Sequence, residues 1–276
     1  DSIYVFNRPM IEVALSDSLG RVHNRVTFLD KNDKEWASHN PQYLLSTVTP
    51  LMLVDNHLLL PGLAPFPEML ADRENFRFTA SIDLATNKTE YHHLYPEELF
   101  GSGLNWGGDL LQLPYPAITP DAKMVHSFPN SHSLYISDWN SDASTTVYGG
   151  SNNAGTIAPI DHEAKGTPDE LTYACYMEQD LYAAIIHDPY RKVYYRYLLH
   201  GLPGATLKTP IDSKPLTIVV MDEQFRYLGE SEIGTGQEWN WKNSFVTKEG
   251  LNIERIGTEP EDDDYLTFWL FNLKDL

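Results

Sequence analysis

One local pattern recurs along this chain: an apolar run that closes on aspartate, a turn of a few residues, and a second, more polar run. MIEVALSD (10–17), FRFTASID (76–83) and LTIVVMD (216–222) lead through short turns into RVHNRVTF (21–28), TEYHHLY (89–95) and RYLGESEIG (226–234). Such pairs predict antiparallel hairpins. The aspartate belongs at the turn because its carboxylate accepts from backbone N–H groups just beyond it. A second kind of hairpin precedes these. PLMLVDNHLLLPG (50–62) turns at Asp55-Asn56, and KMVHSFPNSHSLYISD (123–138) turns at Pro129-Asn130. YAAIIHDPYRKVYYRYLLHG (182–201) turns at Asp188–Arg191, and NSFVTKEGLNIERIG (243–257) turns at Lys248–Gly250.

The two hairpin kinds in succession make units of up to four antiparallel strands, recurring about every 50–60 residues. Four-stranded sheets repeated radially protect their edges, so the expected fold is all-β. It is a β-propeller of four-stranded blades, forming a single domain over residues 1–276. Five blade-like units are visible, at about 1–30, 50–95, 122–151, 180–234 and 243–276. The first offers three strands and lacks an innermost one; the last ends early at YLTFWLFNLKDL. The expected inner strands are LMLVDN, KMVHSF, YAAIIHD and NSFVTKEG. Helical spacing appears around PEELF (96–100) and DELTYACYMEQ (169–179). Long connections fill 96–121, 149–170 and 201–215. The chain starts at Asp1 on strand-like SIYVFN, without methionine or signal peptide, and reads as a processed segment.

Charge and cysteine content remove several functions. Among 276 residues, 39 are acidic and 20 basic, a net charge of −19. That surface repels nucleic-acid phosphates and anionic membranes, and keeps copies of the protein apart, so a monomer is expected. The one cysteine, Cys175, excludes a disulfide framework and a cysteine-rich metal site. No apolar run approaches the ~18 residues of a membrane helix.

Local catalytic motifs are missing as well. GSGLNWGG and GGSNNAG lack the spacing of a nucleophile elbow, and there is no P-loop, H-E-x-x-H or dinucleotide fingerprint. Asp30–Glu35 (DKNDKE) lacks the glycine and distal glutamate of a calcium loop and reads as a polar turn. His92 and His93 are adjacent on a strand and point to opposite faces. Asp161-His162-Glu163 needs ligands from elsewhere to hold a metal. EPEDDD (259–264) reads as a solvated hairpin tip. No catalytic residue and no metal ligand is therefore assigned, and no cofactor beyond a divalent cation such as calcium, for which no motif speaks.

Three residues stand out as ligand-binding candidates. His126 lies on an expected innermost strand facing the channel. Trp106 sits in a glycine-rich loop suited to stacking on sugars or peptide side chains. Arg196 belongs to HDPYRKVYYRYLLHG (187–201), which resembles an active site at first sight. Strand alternation separates its polar residues, however, placing Tyr194 and Arg196 on one face and Val193, Tyr195 and Tyr197 on the other. Asp188 and Pro189 start the turn, Arg191 and Lys192 lie on its solvated tip, and Arg196 contacts either a neighbouring blade or a ligand.

The succession DPYRKVYYR (188–196), KPLTIVVMDEQFRYLGE (214–230), FVTKEGLNI (245–253) and EPEDDDYLTFWLFNL (259–273) resembles a bacterial lipoprotein family. Its members are TolB-like six-bladed β-propellers of gut-type Gram-negative bacteria, classed as a domain of unknown function. The resemblance spans about residues 120–276. It implies six blades, a periplasmic or cell-surface protein of the cell envelope, and attachment to the membrane only through a lipid anchor absent from this chain. It supplies no catalytic residues. The expected function is a non-enzymatic module binding a protein, peptide or carbohydrate. The alternative is a metal-dependent hydrolase, lactonase or lyase working at the central channel.

Overall fold

The computed structural model describes residues 3–28, 40–64, 75–257 and 265–273. The stretches 30–35 and 259–264 lie outside the described residues. Each of five antiparallel sheets is a simple meander. The first holds β1 (Ile3–Asn7), β2 (Glu12–Ser16) and β3 (Val22–Thr27). The second holds β4 (Met52–Val54), β5 (His57–Pro61), β6 (Arg77–Asp83) and β7 (Thr89–Leu94). The third comprises β8 (Tyr115–Ile118), β9 (Lys123–Ser127), β10 (Ser133–Asp138) and β11 (Ser144–Tyr148). The fourth comprises β12 (Leu181–Asp188), β13 (Val193–Leu199), β14 (Pro215–Asp222) and β15 (Tyr227–Thr235). The fifth holds β16 (Trp239–Val246), β17 (Leu251–Arg255) and β18 (Phe268–Phe271). The arrangement is that of a five-bladed propeller.

The turn chemistry matches the sequence. Asp17 Oδ1 accepts from the amides of Leu19 and Arg21, Asp83 Oδ1 from Ala85 and Thr86, and Asp222 Oδ1 from Gln224 and Arg226. Asp55 and Asn56 both take positive φ, 44° and 64°, the conformation a tight two-residue hairpin turn needs. Short helices α1 (Glu97–Phe100) and α2 (Pro168–Met177) fall where the spacing put them. Thr167 and Glu170 close a capping box on α2.

Within a blade, burial rises from the first strand and collapses at the last: β13 is buried throughout, whereas β11 is almost wholly exposed. The first strands are innermost, and β12 packs against both β8 and β16. Here the structure corrects the sequence reading. The innermost strand of the third sheet is β8, inside the supposed long connection 96–121, and β9 with His126 is second. Proline obscured this, because Pro116 sits inside β8. An innermost strand has a neighbour on only one side, so a missing N–H is tolerated there.

Apolar clusters join the sheets in chain order. Val13, Val26, Leu58 and Ile82 bind the first to the second. Phe78, Tyr95, Phe128 and Tyr135 bind the second to the third beneath α1 and α2. The largest cluster runs through the third, fourth and fifth.

Candidate functional site

Of the three candidates, two are packing residues. Trp106 is buried, and its indole Nε1 donates to the carbonyl of Leu99 at 2.6 Å. Gly107, at φ +79°, brings the loop so close to α2 that a Cβ would meet Thr172 Oγ1 at 2.7 Å. The loop is therefore docked on the helix with its tryptophan inward. His126 lies between the second and third sheets, with its ring 5.0 Å from Phe78 and 4.6 Å from His93. It faces away from the channel. Burial holds His126 well below the ordinary histidine range, and its Nε2 has no hydrogen-bond partner among the described residues. His93, with Nδ1 on Thr79 Oγ1 and Nε2 near the Asp138 carbonyl, is lowered by burial to about 4. Among the described residues, no group of three or more His, Cys, Asp or Glu side chains could hold a metal ion.

Arg196 is a clamp between blades. It is fully buried on β13, and its guanidinium reaches from the fourth sheet to the third. Nε donates to Ser127 Oγ, Nη1 to the carbonyls of His132 and Gly149, and Nη2 to that of Ser131, all at 2.7–2.9 Å. The cation also lies 3.7 Å from the centroid of the Tyr182 ring. Four of its five N–H donors are thus engaged, and none faces an opening. Burial lowers its pKa to about 10, leaving it charged at neutral pH.

The hairpin before it behaves likewise. Buried Asp188 accepts from the amides of Tyr190 and Arg191, from Arg191 Nη1 and from the Tyr195 hydroxyl. Arg191 is not on a free tip. It donates across to the carbonyls of Thr247 and Lys248, tying the fourth sheet to the fifth. A turn aspartate therefore doubles as the anchor for a cation that reaches the next blade.

The cavity that carries polar groups lies elsewhere, where inner strands β8, β12 and β16 begin. Its inner compartment, about 270 Å³, is lined by Val48, Leu113, Tyr115, Tyr182, Ala183 and Trp241, with Lys242 at the rim. An outer compartment of about 510 Å³ shares Tyr176, Leu199, Ile211, Trp241 and Lys242 with it and adds Asp212, Lys214 and Trp239. Neighbouring elements hold these walls. Thr47 Oγ1 donates to the Lys242 carbonyl and accepts the Ser244 amide, fixing the start of β16 against the segment leading to β4. The Tyr173 hydroxyl donates to the Thr209 carbonyl, tying α2 to the loop before β14.

Lys214, almost fully buried, donates from Nζ to the carbonyls of Tyr176 (2.6 Å) and Gln179 (2.7 Å). These lie at the C-terminal end of α2, where helix carbonyls are left without partners and the dipole favours a cation. Burial lowers its amine to about 8, while Asp180 and Cys175 act weakly in the opposite direction. Lys242 Nζ stands 5.5 Å from the Trp241 ring centroid. The sequence pointed to neither lysine.

The fold and the cavity together invite comparison with other proteins. The family described as "Domain of unknown function (DUF4221)" matches residues 1–232. The chain belongs to DUF4221. Among solved structures, a DUF4221 member from Bacteroides vulgatus shares the fold, at TM-score 0.75 and 21% identity over 100% of this chain and 76% of its own. Hydrazine synthase from Kuenenia stuttgartiensis is similar at TM-score 0.44 and 11% identity, over 97% of this chain and 57% of its own, too distant to bear on the DUF4221 site. No curated protein matches the chain.

Proposed function

We propose that this DUF4221 propeller is a non-enzymatic binding module of the bacterial cell envelope that takes a small ligand at one end of its channel. The carrying observation is the two-compartment cavity at the start of β8, β12 and β16, walled by aromatic side chains and fringed by two lysines. Sites of this kind, concave and mostly apolar with a few convergent polar groups, are where propellers and other folds take small ligands. Envelope location and a lipid anchor are supported by the resemblance of about residues 120–276 to TolB-like lipoproteins, whose six blades this five-bladed arrangement does not reproduce.

The test is a titration with 2-naphthol, an apolar ring system, followed by tryptophan fluorescence. Binding is expected in the wild type and not in Ala183→Leu, which fills the inner compartment from β12. Equal binding by the variant, with its melting temperature unchanged, places the ligand elsewhere and overturns the reading.

A further inference from the structure

The cavity has a sign. The whole molecule carries −19, yet among the described residues the ionised side chains on the cavity wall are Lys214 and Lys242 against Asp212. The compartments also differ. Asp212 and Lys214 line only the outer one, while Lys242 is the ionisable group other than tyrosine that lines the inner one. An apolar chamber whose described rim carries one ammonium and no carboxylate suits a molecule with an apolar body and one negative end.

Resting on the ligand-binding reading above, we infer that the ligand is an amphipathic monocarboxylate. Its ring or short hydrocarbon body lies against Trp241 and Tyr115, and its carboxylate pairs with Lys242. The cation–carboxylate contact is a charge-assisted hydrogen bond in a partly desolvated site, stronger than the same contact in open water. Lys214 contributes through its field. Two of its three protons are held by helix carbonyls rather than carboxylates, so its charge is not neutralised by an ion pair. A second carboxylate on the ligand would face Asp212 in the outer compartment, which favours a single negative group. A cationic ligand would meet two ammonium groups.

Isothermal titration with three isosteric probes separates the possibilities: 2-naphthoate, neutral 2-naphthamide and 2-naphthylmethylamine, each with the wild type, Lys242→Met and Lys242→Arg. Lys242 is exposed on β16, and Met keeps most of its stem, so the fold is expected to survive. The expected result is about tenfold or greater preference for the acid over the amide, and weakest binding of the amine. Lys242→Met is expected to bring the acid down to the affinity of the amide, and Lys242→Arg to restore the preference. If acid and amide bind the wild type alike, the ligand-binding reading stands and the carboxylate inference falls. If the preference persists in Lys242→Met, the assignment to this lysine falls. If none of the three binds, both fall.

Discussion

Arg196, on β13, and Lys214, just before β14, are both cations, both almost fully removed from water, and neither is hydrogen-bonded to a carboxylate. Their surroundings differ. Arg196 is saturated, with four donors engaged by the third sheet and an aromatic ring against its face. Lys214 has two carbonyl partners and stands on the wall of a cavity. The first arrangement spends its specificity on holding two blades together. The second leaves field and donor capacity facing open space. Burial alone does not separate the two cations; the number of donors already engaged does.

The largest expected effect breaks the structural member of the pair. Arg196→Met removes the charge and takes the guanidinium donor from the carbonyls of Ser131 and Gly149 and from the Ser127 hydroxyl, while the His132 carbonyl keeps the Gly149 amide. Backbone acceptors cannot be exchanged for apolar groups, so no compensation is available. Urea unfolding is expected to show a loss of roughly 3–5 kcal/mol. A loss below about 1 kcal/mol would mean that water or a rearranged loop satisfies those carbonyls.

Next in size is a buried group that stays neutral. His93 takes up its proton near 6.5 when unfolded but only at about 4 in the fold, because burial penalises the charged ring. Between those values the unfolded state binds more protons, so stability falls as pH falls from 6.5 to about 4. The full window is worth roughly 3 kcal/mol. Denaturant midpoints between pH 7 and pH 4 check it, and His93→Gln is expected to make the decline shallower, with buried His126 still contributing in the same direction. A wild-type profile with no decline over that range would contradict the burial argument.

Lys214→Met is expected to cost less than Arg196→Met, roughly 1–2 kcal/mol, since it strips two carbonyls and a helix-terminal charge. Equal losses for the two variants would erase the contrast between clamp and site. The smallest effect is at the other end of the same helix. Thr167→Ala removes the capping box of α2 and is expected to cost about 1 kcal/mol.

The blade grammar was readable because its determinants are local. Asp17, Asp83 and Asp222 form their turns from contacts two to four residues away, and alternation along β13 separated Arg196 from Tyr195. Strand β8 escaped because Pro116 signals a loop unless the strand is known to be innermost. The site escaped for a stronger reason. Its walls come from segments near residues 44–49, 113–115, 176–183, 211–214 and 239–242, which meet only once the blades are packed. Nothing near Lys214 in sequence announces that its amine reaches the end of α2. Trp106 and His126 misled because glycine-rich surroundings and an assumed inner strand suggested exposure where the structure has packing.

The most direct measurement is a crystal of the protein grown with 6-bromo-2-naphthoate, with data collected at the bromine edge. The expected result is one anomalous peak in the inner compartment between Tyr115 and Trp241, with the carboxylate within hydrogen-bonding distance of Lys242 Nζ. An inner compartment without that peak at saturating ligand, or a ligand bound with its carboxylate turned away from Lys242, would contradict the assignment of this cavity as the site for an acidic amphipathic ligand.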